Sequence, residues 1–278
     1  MSIRIKKFNP KTIKEHRITF LIGKRHTGKS ILMLDILSKM PTPDFVLGFS
    51  PTDDTLDTFK NFIPASGIFS QFSHDKLERL LSLQRELIRR GKKRSVLLIL
   101  DDCLYQKGVL KSTAMRDLFF NGRHLNVGLI CACQYLMDIS PELRTNIDYL
   151  CSMRESTISN RQKLHKFFFG QFAKFEEFDR VMNACTQNYS ALVMDATIAS
   201  TKSDECIFWY RATTDLPSFK LGKPIIWKLT EKHLKSDDEI RRAQRIQFQI
   251  ETAATATIAS NRVTVVQTED ENGEVIVQ

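Results

Sequence analysis

Eight consecutive residues, Gly23-Lys24-Arg25-His26-Thr27-Gly28-Lys29-Ser30, follow the pattern G-x-x-x-x-G-K-[ST]. A loop of this kind turns its main-chain N–H groups toward a phosphate. Gly28 permits close backbone approach, Lys29 is a point charge for the outer phosphates, and the Ser30 hydroxyl is a candidate magnesium ligand. A second constellation, Asp101 and Asp102, ends the apolar run Ser95 to Leu100. Carboxylates at the carboxyl end of a buried strand stand beside a nucleotide in α/β proteins. Asp101 is expected to hold magnesium, through Ser30 or water, and Asp102 to polarise an attacking water. The plainer reading of Asp102 is a helix or loop cap. Gln134, directly after the run Val127 to Cys133, is a candidate for sensing the terminal phosphate or orienting water. Its plainer reading is a satisfied strand-end amide.

The elements that must position these residues alternate between two periods. Arg17 to Ile22 is a β-rich run leading into Gly23, and Lys29 to Met40 has apolar residues at helical spacing before Pro41 and Pro43. Asp44 to Phe49 reads as a strand, and residues 50–67 carry no clear period. Asp75 to Arg90 is amphipathic, Ser95 to Leu100 and Val127 to Cys133 are strands covered on both faces, and Thr113 to Arg123 is a helix. Asp148 to Met153 follows as a shorter strand. Arg161 to Phe169 and Phe175 to Cys185 are further helices, and Ser190 to Met194 and Cys206 to Tyr210 are late strands at an antiparallel edge. The alternation predicts an α/β fold with a mainly parallel central sheet and helices on both faces. The expected divisions are an N-terminal extension over 1–16, a nucleotide-binding domain over 17–230, and a C-terminal helical and flexible tail over 231–278. In that tail Asp237 to Ile250 reads as helix and Arg262 to Gln267 as a possible edge strand.

Composition narrows the class. The 278 residues carry a formal net charge of +9, which favours polyanion partners but equally describes a basic solvated surface. Basic runs that suit phosphate contacts are Arg89 to Arg94 and Arg241 to Arg245. The six cysteines form no C-x-x-C pair, and several lie in apolar runs, so a reducing compartment is expected. There is no apolar leader segment and no run long enough to cross a bilayer. A soluble intracellular protein is the expectation.

Among phosphate-loop proteins, a GTPase lacks support. Thr201-Lys202-Ser203-Asp204 is an imperfect base-reading motif, and no D-x-x-G follows Asp101. A small-molecule kinase would need an arginine-rich lid; Arg154, Arg161 and Arg180 form no compact one. A transport-type second signature is absent before the acidic strand. The order of motifs fits elsewhere: the phosphate loop, LLILDD, Phe120-Asn121-Gly122-Arg123-His124, a strand closing in Gln134, then Pro141-Glu142-Leu143-Arg144-Thr145-Asn146. Over roughly Ile18 to Arg154 this resembles the DNA-packaging ATPases of poxviruses and other large nucleocytoplasmic DNA viruses, of the FtsK–HerA class. The stretch after about Arg161 carries no such match.

The resemblance implies a RecA-like P-loop sheet, ATP and Mg2+ dependence, a homo-oligomeric ring, and translocation of double-stranded DNA into a capsid, with capsid or other virion proteins as partners. It implies a location in the host cytoplasm or viral factory, or in the virion. It implies that Arg123 or Arg144 reaches into a neighbouring subunit's site as an arginine finger; the plainer reading of each is a structural ion pair. One departure is visible, because relatives in the wider class end the acidic strand in Asp-Glu and this chain ends it in Asp-Asp. A nucleotide-dependent scaffold or switch with little hydrolysis is therefore the alternative, with a P-loop small-molecule kinase behind it.

Overall fold

The computed structural model describes residues 3–105, 108–135, 139–233, 267–269 and 275–277. Nine strands form its central sheet: β1 (Lys6–Lys7), β2 (Ile18–Ile22), β3 (Phe45–Phe49), β4 (Ile68–Phe69), β5 (Val96–Asp101), β6 (Val127–Cys133), β7 (Tyr149–Ser152), β8 (Ser190–Asp195) and β9 (Ile207–Arg211). Their spatial order is β1-β9-β8-β7-β2-β6-β5-β3-β4. The run from β7 to β4 is parallel throughout. β8 is antiparallel to both its neighbours, and β1 pairs in parallel with β9. The late strands are thus internal, and the edge beyond them belongs to β1. Phe8, directly after β1, is buried against Tyr149, Phe208 and Tyr210.

Every residue of β5 and β6 is buried, as their unbroken apolar runs require. Alternate side chains feed two cores. Leu98 and Leu100 join Phe20, Leu118 and Leu129 on one face, and Leu97 and Ile99 join Leu21, Leu32 and Ile36 on the other. The helices are α1 (Lys29–Lys39), α2 (Asp53–Lys60), α3 (His74–Arg89), α4 (Thr113–Asn121), α5 (Pro141–Arg144), α6 (Ile158–Phe168), α7 (Phe175–Cys185), α8 (Ser203–Cys206) and α9 (Pro224–His233). They cover both faces of the mainly parallel sheet, as expected.

Local chemistry sets the helix ends. Ser73 and Ser112 cap α3 and α4 by accepting from the N–H groups of Lys76 and Met115. α4 stops two residues short of the expected Arg123, because Val127 N–H turns back onto the Gly122 carbonyl through the left-handed Asn126. α6 starts three residues earlier than expected. Residues 50–67, without a readable period, contain α2 and a short turn into β4.

Contacts divide the chain into Met1–Thr230 and Glu231–Gln278. In the second unit, β10 (Gln267–Glu269) pairs antiparallel with β11 (Val275–Val277) in a two-stranded sheet of its own. Gln267 therefore pairs within that hairpin. The rest of the expected strand, the helix over Asp237 to Ile250 and the basic run Arg241 to Arg245 lie outside the described residues. Among the described residues no helix is long and apolar enough to cross a membrane.

Candidate nucleotide site

The sheet order brings the separated motifs together. β6 lies between β2 and β5, so the phosphate loop, Gln134 and the acid pair emerge from three adjacent strand ends on the same edge. The ladder continues into them: Gly23 N–H donates to Cys133 O at 3.2 Å and Asp102 N–H to Ala132 O at 2.9 Å.

The loop itself is tightly built. A Cβ on Gly23 would meet Met153 Cβ and Thr27 Oγ1, both at 2.6 Å, so no larger residue fits. His26 and Gly28 are left-handed, with φ of 62° and 94°. Thr27 Oγ1 closes the turn by donating to Lys24 O at 2.7 Å. Lys29 is buried, and its ammonium donates to Gly23 O at 2.7 Å and Lys24 O at 3.4 Å. An ammonium has three donors, so one remains for an anion. Gly28 gives α1 no side-chain cap, and the first N–H groups of a helix have no acceptor within it. Those donors and the positive helix end face the loop. Ser30 is exposed on that first turn.

Lys24 and Arg25 are exposed in the loop. The Lys24 side chain is committed elsewhere: it pairs with Glu155 at 2.8 Å and donates to Ser156 Oγ and Thr157 Oγ1. Burial alone would raise the Glu155 carboxyl, but Lys24 and the Thr157 N–H outweigh it and hold it below the usual range. Arg161, weighed from sequence as a helix residue and a lid arginine, donates to the Glu155 and Ser156 carbonyls and pairs with Asp179 of α7 at 2.5 Å.

Asp101 is buried at the tip of β5. Burial, and next the neighbouring Asp102 carboxylate, push its carboxyl up to about 6, against the hydrogen bond from Thr55 and the charge of Lys29. Asp102 has a left-handed backbone with φ of 49°, and Gln134 Nε2 donates to its Oδ2 at 3.4 Å. Two adjacent acids with one buried lysine and one hydroxyl suit a divalent cation completed by phosphate and water oxygens. Among the described residues there is no group of three or more His, Cys, Asp or Glu that could hold a metal ion.

Thr55, from α2, donates to Asp101 Oδ2 at 3.2 Å and was not anticipated. No motif marks it. Asp35 is the other unanticipated group: fully buried in α1, it binds Lys39 at 2.6 Å, accepts from Tyr210 Oη at 2.5 Å, and accepts the Thr213 N–H. This network fastens the phosphate-loop helix to β9.

Arg123 and Arg144 are not brought to the site of their own chain. Arg123 precedes β6 and so lies at the amino edge of the sheet, where it and Arg17 share Asp148, each at 2.8 Å. Asp148 also accepts the Ile18 N–H at 2.9 Å. Arg144 stacks on Phe167, in the last turn of α6, with 4.1 Å between guanidinium and ring centroid. The helix α6 starts on the loop side and runs away from it. Within one chain neither arginine reaches the phosphate loop, because each precedes the amino end of its strand. In the basic run Arg89 to Arg94, Glu86 engages both Arg89 and Arg90, which leaves Lys92 and Lys93 as its freer charges. A separate hollow of about 570 Å3 opens between α7 and β9, lined by Arg180, Trp209 and Arg211. It has neither glycine loop nor acid pair.

Phosphate loop, buried acid strand and the intervening β6 define a P-loop NTPase fold. The genome packaging NTPase B204 of Sulfolobus turreted icosahedral virus 2, solved in complex with AMPPCP, aligns with a TM-score of 0.50 at 16% identity, over 72% of this chain and all of that one. At that identity the match speaks to fold. The chain belongs to the poxvirus A32 protein family, whose model matches residues 5–210. It is 30% identical over 207 residues to protein 088R of Invertebrate iridescent virus 3, covering 73% of this chain and 79% of that protein. It is 32% identical over 195 residues to protein 015R of Frog virus 3, covering 69% and 60%. The resemblance to poxvirus packaging ATPases is borne out, and the match continues past Arg161 into β9.

Proposed function

We propose that this protein is an ATP-hydrolysing motor that moves double-stranded DNA into a viral capsid. The observation that carries the reading is the convergence of the Gly23–Ser30 loop with Asp101 on one sheet edge, in a chain of the poxvirus A32 family. The amides of Gly23 to Gly28 cradle the β-phosphate, and Lys29 turns its remaining donor to the outer phosphates. Ser30 and Asp101 hold Mg2+, which when bound neutralises charge on the phosphate oxygens. Asp102, oriented by Gln134, accepts the proton of the attacking water. Arg123 or Arg144 of an adjacent subunit in a homo-oligomeric ring supplies the transition-state cation. DNA is held by phosphate contacts without base readout, with Lys92 and Lys93 as candidates. The domain plan that goes with this reading is an ATPase body over 17–230, an N-terminal extension and a C-terminal tail.

The test is ATP turnover by the full chain with and without linear double-stranded DNA, beside mass measurement of the assembled species. A motor hydrolyses ATP, turns over faster on DNA, and loses turnover on Lys29→Ala. ATP binding without turnover in any assembly refutes the motor and favours a nucleotide switch, the reading that the shorter Asp102 supports.

A further inference from the structure

We propose that Tyr189 is the platform on which the base of the bound nucleotide stacks. This rests on the nucleotide-site reading above and adds the end of the ligand that the phosphate loop does not address.

The first observation is position. A Cβ built on Gly28 would meet Tyr189 Cδ1 at 3.3 Å and Tyr189 Cβ at 3.4 Å, so the tyrosine lies against the last glycine of the phosphate loop. The second is exposure. At 69% exposed it is the most open large apolar side chain among the described residues, while the strand it leads into, Ser190 to Asp195, is buried throughout. The third is backbone geometry. Asn188 and Tyr189 are both left-handed, with φ of 51° and 60°, and Ser190 N–H closes their turn onto Gln187 O at 3.0 Å. Asparagine tolerates that region; for a bulky aromatic residue it is an outlier held in place by its surroundings. Among the described residues the Tyr189 hydroxyl has no hydrogen-bond partner, so no polar contact of the side chain accounts for the ring's position.

Direction supplies the link to the base. Counting outward from β2, Asp101 ends the second strand on one side, and Tyr189 precedes the second strand on the other. A nucleotide whose terminal phosphate points to Lys29 and Asp101 must therefore leave the loop toward β7 and β8, where the ring is. Every nucleobase offers a π face, so a tyrosine there adds affinity while discriminating weakly between bases.

The experiment compares two probes on the full chain: a slowly hydrolysed ATP analogue, and inorganic tripolyphosphate, which has no base. Tyr189→Ala is expected to weaken the ATP analogue by about tenfold or more and to leave tripolyphosphate unchanged. Tyr189→Phe is expected to bind both as wild type does. An unchanged ATP affinity in Tyr189→Ala, or an equal loss on both probes, overturns the base platform. If the wild type and Lys29→Ala bind tripolyphosphate alike, the phosphate site itself fails, and the base platform fails with it.

Discussion

Replacing Asp101 by asparagine should make the protein more stable, by an amount that depends on pH. Its carboxyl is raised from 3.8 to about 6, mainly by burial and then by Asp102. The folded chain therefore holds the proton more tightly than the unfolded chain, and stability falls as pH rises from about 4 through 6. Well above pH 6 the deficit is about 3 kcal/mol, since each tenfold in proton affinity is worth about 1.4 kcal/mol. Lys29 and Thr55 are already counted in that value. Asparagine keeps the shape and still accepts the Thr55 hydrogen bond, but never ionises. Asp101→Asn should then gain about 3 kcal/mol at pH 8, about half of that at pH 5, and almost nothing below about pH 3. For a domain of this size, 3 kcal/mol raises the melting temperature by about 6–12 °C. The assay is thermal unfolding of both proteins at pH 5 and pH 8, without nucleotide or magnesium. A gain no larger at pH 8 than at pH 5, or a loss at pH 8, refutes the argument.

Gly23→Ala should lower stability by about 1–3 kcal/mol and weaken nucleotide binding, because its methyl has to displace Met153 or Thr27; calorimetry and denaturation check it. Arg123→Ala should cost about 1 kcal/mol or less of stability, since Arg17 and the Ile18 N–H remain on Asp148, and should leave nucleotide affinity of the isolated chain unchanged. A lowered single-chain affinity would contradict its position at the far edge. Asp35→Ala should destabilise by about 2–4 kcal/mol by stranding Tyr210 and Lys39, and Tyr210→Phe by about 1–2 kcal/mol, both read from urea midpoints.

The phosphate loop and the acid pair were legible because each is contiguous in sequence, and because β5 and β6, buried on both faces, read as unbroken apolar runs. The loop's context, strand before and helix after, is local as well. Thr55 was not legible, since its meeting with Asp101 is made by tertiary packing of a short helix with few apolar residues. The late strands were legible as antiparallel, but no local pattern revealed that they lie inside the sheet, or that Lys6 and Lys7 extend it beyond β9. Arg123 and Arg144 carry a different lesson. Motif order says that they accompany the site, but each comes just before a parallel strand, and Gln134 just after one. Chain direction alone sets those positions at opposite edges, and that signal was available in the sequence.

Lys24 ties the phosphate loop to something beyond itself. Its ammonium grips Glu155, the main chain at Glu155 and Ser156 is held by Arg161, and Arg161 is locked to Asp179. A rearrangement that pulls Lys24 toward or away from a ligand therefore tugs on two helices through one chain of charges. The phosphate loop and the α6–α7 pair are thus joined by one continuous series of polar contacts that ends at Asp179.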